Sequence, residues 1–221
     1  MNASILNIPH NKQPHTKSID SKLKEYSKFR YLQKRAIDFM FSSLLIIASL
    51  PIVAVIIIRI KKESPGPILF KQTRIGLHGE PFTCYKFRSM HIHTVTDDGV
   101  YTKEQDLRIF PFGQFMRKTR IDELPQIINI IKGEMHLLGP RAEWDILSKQ
   151  YEDQIKDYKK RYIVRPGITG LAQVSYPYGR NIYDAEQKLG YDLDYIKNWS
   201  IISEIKVIFQ TVGVVLGKKG L

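Results

Sequence analysis

AIDFMFSSLLIIASLPIVAVIIIRI, from Ala36 to Ile60, holds an almost unbroken apolar run of about 20 residues, the length at which a helix can cross the hydrocarbon core of a bilayer. A soluble core helix is rarely apolar on every side for so long. Two features argue against a simple crossing. Lys34 and Arg35 precede the run and Arg59, Lys61 and Lys62 end it, so the charge asymmetry that orients a single span is missing. Pro51 stands in the middle, where it removes a backbone hydrogen bond and clashes with the carbonyl of Ile47, so a break or sharp bend is expected there. The segment reads as a helix that enters the membrane, turns and leaves on the side it came from. Ser42, Ser43 and Ser49 are placed to bond carbonyls freed at the bend.

Upstream, residues 1 to about 30 are polar and lack the apolar core of a secretory signal, so a mobile segment is expected. From Lys17 to Arg35 seven basic residues interleave with Leu23, Tyr26 and Phe29. That pattern suits a basic amphipathic stretch drawn to anionic lipid head groups, or equally a solvated charged helix. The whole chain of 221 residues carries 34 Lys and Arg against 22 Asp and Glu, a formal net charge of +12. An anionic partner is implied, and nucleic acid, anionic lipid and phosphorylated substrates would all satisfy it. The single Cys84 excludes an internal disulfide. It lies in an aromatic, β-branched stretch with no nearby His partner, as a small core residue does.

Downstream, SPGP at 64–67 marks the exit from the apolar element. ILFKQ, RIGLHGEP and FTCYKFRSM read as two short strands around a glycine-containing turn. Lys86 and Arg88 alternate on the second strand and so share a face, either for phosphate or for plain solvent. His91, His93, Asp97 and Asp98 do not form a zinc site, because nothing supplies the remaining ligands at a diagnostic spacing and DDG is an ordinary turn. A helix with a basic face is expected from Asp106 to Arg120, with Leu107, Phe112, Phe115 and Met116 as core or membrane contacts.

The chemistry concentrates in RKTRIDELPQIINIIKGEMHLLGPRAE, Arg117 to Glu143. Asp122 and Glu123 precede an apolar helical run with Pro125 in its first turn, where the missing N–H breaks no helical bond. Asp122 can serve as an N-cap. Arg117, Arg120 and Arg141 bracket the acidic pair, and a helix N-terminus ringed by guanidinium groups binds phosphate readily. Neighbouring helical residues point about 100° apart, so the two carboxylates are expected to hold separate roles instead of sharing a proton.

Beyond it, residues 143–161 are dense in charge and tyrosine and read as a surface helix. RPGITGLAQVSYPYGRN is too irregular for one element. Its Arg165 either lines the polar site or ties the loop, and Arg180 either lines the site or lies on the surface. In YDLDYIKNWS, Asp192 is a polar-site residue or a buried orienting partner. The run from Ile201 to Leu216 is amphipathic and too short to span, as an interfacial or packing helix would be.

IDELPQ, Asn129, KGEM, LLGPR, the YKFRSM and RPGITG-AQV segments and YDLDYIKNWS arrive in one order from about Lys34 to the C-terminus. Together they resemble the polyprenyl-phosphate sugar-1-phosphate transferases, the monotopic phosphoglycosyl transferases of bacterial polysaccharide and glycan assembly. The SYPYGRN version is similar to members that build exopolysaccharide repeat units. The resemblance implies a helix-rich α/β cytosolic domain, residues 63–221, at the membrane interface. A re-entrant helix at 34–62 and interfacial amphipathic helices would seat it, with 1–33 as a basic segment. It implies a place on the cytosolic face of the bacterial inner membrane. It further implies transfer of a sugar 1-phosphate from a UDP-sugar to polyprenyl (undecaprenyl) phosphate through a covalent aspartyl phosphosugar, releasing UMP. Asp122 would be the nucleophile and Glu123 the ligand of Mg²⁺. Arg117, Arg141, Lys86, Arg88, Arg165, Arg180 and Asp192 are the candidate substrate contacts. Two departures stand out: Leu50-Pro51 where the family usually has Ser-Pro, and Arg141-Ala142 where it usually has Arg-Pro.

Neither a P-loop nor a dinucleotide fingerprint is present. A membrane-tethered nucleic-acid-binding protein would explain the charge but not the Asp-Glu pair ringed by arginines, so nucleic acid is not the expected partner. A basic anchor or scaffold without catalysis is the other reading. The sugar and the oligomeric state are not legible.

Overall fold

The computed structural model describes residues 28–92, 106–177, 179 and 181–217. The basic stretch before Lys28, His93, Asp97, Asp98 and Arg180 lie outside the described residues.

The apolar run forms one helix, α1 (Lys28–Glu63), of 36 residues. At 1.5 Å per residue its contour is about 54 Å. The break expected at Pro51 is absent as a gap, because the proline lies inside the continuous element. Ser49 Oγ donates to the carbonyl of Ile46 at 3.0 Å, one residue short of the carbonyl that Pro51 frees. Lys34, Asp38, Ser42, Ser49, Ile56 and Ile60 are buried. Their spacing places them on one face. Phe39, Met40, Leu44, Ile47, Leu50, Ile52, Val55 and Ile58 are exposed around the rest. Both ends grip the same body. At one end Arg35 donates to the carbonyl of Ile130 at 2.7 Å. At the other, Ile56 and Ile60 pack with Phe87, Phe110 and Met116, each fully buried side chain contributing about 1.5–3 kcal/mol. There Glu63 Oε2 also accepts the Phe112 backbone N–H at 2.8 Å.

The hairpin read from the sequence is present. β1 (Leu69–Ile75) pairs antiparallel with β2 (Pro81–Phe87) in a register that sets Phe70 opposite Lys86. Then α2 (Pro111–Thr119), with proline at its start, leads into a 3₁₀ turn, Ile121–Gln126, and α3 (Ile127–Lys132). Met116 is fully buried and Phe112 partly so, whereas Leu107 is 94% exposed and Phe115 is exposed too. α3 stops at Gly133, whose φ of 80° suits glycine. β3 (His136–Leu138) pairs in parallel with β4 (Gly167–Thr169).

The charged stretch after Glu143 is not a surface helix throughout. α4 (Asp145–Gln154) and the 3₁₀ turn Tyr158–Ile163 bury Leu147, Tyr151, Tyr158 and Tyr162. They meet Leu189, Leu193 and Trp199 in a second core. Tyrosines at this spacing put their rings inward while the lysines between them stay in water. α5 (Leu171–Ser175) is short. α6 (Ile182–Lys197) is capped by Asn181, which accepts the Asp184 N–H. α7 (Ile201–Leu216) opens with a capping box in which Ser200 and Ser203 bond each other's backbones. It leaves Ile202, Ile205 and Phe209 exposed while Val207 and Glu204 face the body, as expected of an amphipathic packing helix. Cys84 is a core residue, and burial pushes its thiol up.

Candidate active site

A cleft of about 850 Å³ runs between the β1–β2 hairpin, the Ile121–Gln126 turn and α6. Lys86, Arg117, Arg120, Asp122, Glu123, Arg141 and Asp192 line it. The local sequence explains how the turn is held. Asn129, fully buried, accepts the Tyr85 N–H at 3.2 Å and donates to the Thr83 carbonyl at 2.7 Å, so α3 is stapled to β2. Its amide also donates to Glu134 Oε2 at 2.6 Å, and the Gly133 turn brings Glu134 back within reach. Asn129 and KGEM are therefore one device that fixes the turn against the strand.

Asp122 is not an N-cap. The turn begins at Arg120, with no side-chain capping bond, and Asp122 sits inside it. Arg120 holds a left-handed conformation, φ 56° and ψ 16°. Such a conformation costs a non-glycine residue about 1–2 kcal/mol. Its carbonyl accepts the Glu123 N–H at 3.1 Å.

The two carboxylates have separate surroundings. Glu123 Oε1 accepts from Lys86 Nζ at 2.8 Å and from Arg141 Nη2 at 2.9 Å, and its Oε2 lies 3.9 Å from Arg120 Nη1. Burial opposes ionisation of Glu123, but Arg141, Lys86 and Arg120 override it and hold the carboxyl well below the usual range. Asp122 is buried as well and, among the described residues, receives no hydrogen bond from a side chain. Burial pushes it up to about 6, with Glu123 adding to the rise and Lys86, Arg117 and Arg120 opposing it. Among the described residues, the result is one neutralised carboxylate that organises cations and one carboxylate that stands among them without an ion pair.

Arg141 follows β3 on the Gly139–Pro140 loop. Missing proline at Ala142 does not leave this loop slack. Arg74 donates to the Ala142 carbonyl, Arg161 Nη2 donates to the Arg141 carbonyl at 2.8 Å, and the Ile75 N–H donates to the Glu143 carbonyl at 3.1 Å. Asp192 is the buried orienting partner, 2.7 Å from Arg161 Nη2. Burial carries Asp192 up to about 6 against the pull of Arg161.

Two candidate substrate contacts make structural ties. Arg88 lies just past β2 on the lining of the cleft and donates to Ser64 and to the Pro67 carbonyl. Arg165 donates to the Gly133 carbonyl at 2.6 Å and stacks on Tyr31. Arg74 and Arg161 were not singled out by sequence reasoning. Arg161 is hidden in the charged run KKRY, and Arg74 stands three positions from Lys71, out of step with a strand's period of two.

Fold and site define a body gripping one long apolar helix and carrying an acidic pair in an arginine-rimmed cleft, the features of a phosphate-handling protein at a membrane. The model of the bacterial sugar transferase family matches residues 29–218, and the chain belongs to that family. It is similar to the UDP-glucose:undecaprenyl-phosphate glucose-1-phosphate transferase of Escherichia coli (strain K12), 39% identical over 185 residues, covering 82% of this chain and 39% of that protein. It is also 38% identical over 183 residues to the UDP-N-acetylgalactosamine-undecaprenyl-phosphate N-acetylgalactosaminephosphotransferase of Aeromonas hydrophila, covering 83% of this chain and 43% of the relative. A third relative, the UDP-glucose:undecaprenyl-phosphate glucose-1-phosphate transferase of Caulobacter vibrioides, is 39% identical over 183 residues, 82% of this chain and 68% of its own. The chain thus spans about two-fifths of the length of the first two.

Proposed function

We propose that the protein transfers a sugar 1-phosphate from a UDP-sugar to undecaprenyl phosphate, the initiating step of exopolysaccharide or glycan assembly, through a phosphosugar bound covalently to Asp122. The observation that carries this reading is the contrast inside the acidic pair: Glu123 is occupied by Lys86 and Arg141, and Asp122 is buried among the same cations with its carboxylate unengaged by side chains of the described residues. The relatives' names support the substrate classes, and their differing sugars leave the sugar itself open.

In the first step an Asp122 oxygen attacks the phosphorus that carries the sugar. The bond from that phosphorus to the bridging oxygen breaks, and its electron pair leaves with UMP. A phosphate oxygen of the lipid then attacks the same phosphorus, and the Asp122 carboxylate is released. A carboxylate approaching a charged diphosphate meets roughly 4 kcal/mol of repulsion per unit pair at about 4 Å and an effective dielectric of 20. Lys86, Arg117, Arg120 and Arg141 offset that charge without reorganising, because the hairpin, α2, the turn and the loop hold them beforehand. Arg165 has no part in this account, and Arg88 serves by holding the start of the hairpin to the end of α1.

Mg²⁺ fits as an ion that arrives with the substrate. Among the described residues no three His, Cys, Asp or Glu side chains group into a cage. Glu123 Oε2, 3.9 Å from Arg120 Nη1, offers one hard ligand, and diphosphate oxygens and water complete such sites. When bound, the ion would neutralise diphosphate charge. Mn²⁺ as a paramagnetic probe should bind more tightly with UDP than without it, and Glu123→Gln should abolish that difference.

The same geometry favours a re-entrant seat. A helix crossing the bilayer has its ends separated by about 30 Å of hydrocarbon. The Lys34 end and the Glu63 end of α1 both bond one polar body, which supports a seat with both ends on the side of that body. Arg35 over Phe39 and Arg59 over Phe112 would mark the two points where the helix meets the interface. The exposed apolar faces of α1 and α7 would be covered by lipid.

Purified protein in lipid nanodiscs, given undecaprenyl phosphate, Mg²⁺ and each of a panel of UDP-sugars, should release UMP from at least one of them. No release from any, with the chain folded, would favour a basic anchor or scaffold without catalysis.

A further inference from the structure

Lys34 and Asp38 lie one turn apart on the buried face of α1, at 1% and 2% exposure. Both act on β3. Asp38 Oδ1 accepts the Leu137 N–H at 2.8 Å, and its Oδ2 lies 2.5 Å from His136 Nδ1. Lys34 Nζ donates to the Leu138 carbonyl at 3.0 Å, to the Tyr195 hydroxyl at 2.8 Å and to Glu204 Oε1 at 2.8 Å. Trp199 Nε1 completes that knot on Glu204 at 2.7 Å. Each residue of β3 is thus held by one of two charged side chains of the apolar helix. Attaching a helix to a body needs only apolar contacts, and burying charge is the costlier way to do it. What charge adds is a fixed position along the strand.

The end of β3 runs directly into Gly139, Pro140 and Arg141. This path has no slack. The Gly139 N–H donates to the Thr169 carbonyl at 3.0 Å and the Gly167 N–H to the Pro140 carbonyl at 2.9 Å. A Cβ on Gly167 would stand 2.1 Å from the Gly139 nitrogen, so the two strands touch backbone to backbone. A shift of β3 along its axis is therefore passed to Arg141, whose guanidinium reaches Glu123 at 2.9 Å.

We propose that Lys34 and Asp38 of the apolar helix are positioning residues for Arg141, so that the seating of α1 on the body sets the geometry of the phosphate site. This rests on the transferase reading above. The helix is then a component of the site as well as its anchor.

The test uses the full chain in nanodiscs and the single-turnover release of UMP from a UDP-sugar that wild type accepts. Two variants remove the clamp: Asp38→Asn, and Lys34→Met combined with Glu204→Gln, which removes the ion pair without leaving a lone buried charge. Each should slow UMP release by about tenfold or more, since misplacement by 1 Å can cost on the order of 100-fold. Each is repeated with Arg141→Lys. If the clamp works through Arg141, its effect should shrink to less than about twofold in that background, because contacting sites are non-additive. The same factor in both backgrounds, or unchanged release by two folded clamp variants, would overturn the proposal. Wild type without UMP release from any UDP-sugar would instead mean that the transferase reading has failed.

Discussion

The ammonium of Lys86 stands 2.8 Å from Oε1 of Glu123, the same oxygen that takes Arg141 at 2.9 Å. One carboxylate oxygen therefore fixes cations from two distant parts of the chain. The next residue back, Asp122, has no ion pair among the described residues and lies in the field they create. Its pKa of about 6 follows from burial, moderated by Lys86 from β2, Arg117 from α2 and Arg120 from its own turn, with Glu123 pushing the other way. An aspartate so placed is mostly ionised at pH 7 without an ion pair from the described residues.

That raised pKa has a stability consequence whose sign is fixed by linkage. The folded chain binds the Asp122 proton more tightly than the unfolded chain does, with a value of about 6 against an ordinary 3.8. The ionisation penalty is absent below about pH 4, grows between about 4 and 6, and is complete above 6. Two units correspond to about 3 kcal/mol. Asp122→Asn should therefore raise the unfolding free energy by up to about that amount at pH 8 and leave it nearly unchanged at pH 4. Denaturant unfolding at both pH values checks this, and equal effects at both would contradict it.

The first half-reaction should lose activity below pH 6 as Asp122 is protonated. Removing Lys86 takes away the strongest attraction that keeps Asp122 ionised. Lys86→Met should move the acid limb of the rate profile upward by about one pH unit, in addition to slowing turnover. A limb that stays in place would assign it to another group.

Much of this is legible in the sequence. The hairpin, the apolar helix, the amphipathic C-terminal helix and the acidic pair with Arg117, Arg120 and Arg141 all follow from local pattern. What was not legible depends on contacts far apart in the chain. Arg88 and Lys86 alternate on paper and both line the cleft, but β2 ends at Phe87 and Arg88 bonds Ser64, 24 positions back, which no local pattern records. Arg161 and Asp192 meet across 31 positions, and no local period records it. Tyr151, Tyr158 and Tyr162 looked like surface because lysines surround them, whereas tertiary packing claimed their rings.

A re-entrant seat predicts sidedness. With Cys84 replaced by alanine, single cysteines at Lys28 and Lys62, both exposed, should react with an impermeant maleimide only from the cytosolic side. A cysteine at the exposed Ile47 should resist it while the protein is in lipid. Reaction of either flank from the opposite side would establish a true span.

The role of Arg165 as a tie to Gly133 is open to direct comparison with Arg141. Arg165→Gln should cost about 1–3 kcal/mol of stability through its bond to Gly133 and leave KM for UDP-sugar unchanged. Arg141→Gln should lower kcat/KM by at least about 100-fold with a smaller change in Tm. Thermal unfolding paired with steady-state kinetics separates them, and an equal rise in KM for both would restore Arg165 to the site.

The central claim is the bond to Asp122. Wild-type protein in nanodiscs, given an accepted UDP-sugar and Mg²⁺ but no lipid acceptor, should release UMP in a burst of up to one equivalent. Its digest should carry a mass increase equal to the sugar phosphate on the peptide containing Asp122, lost on adding undecaprenyl phosphate and absent in Asp122→Asn. An adduct on any other residue, or UMP released only when the lipid is present, would contradict the account.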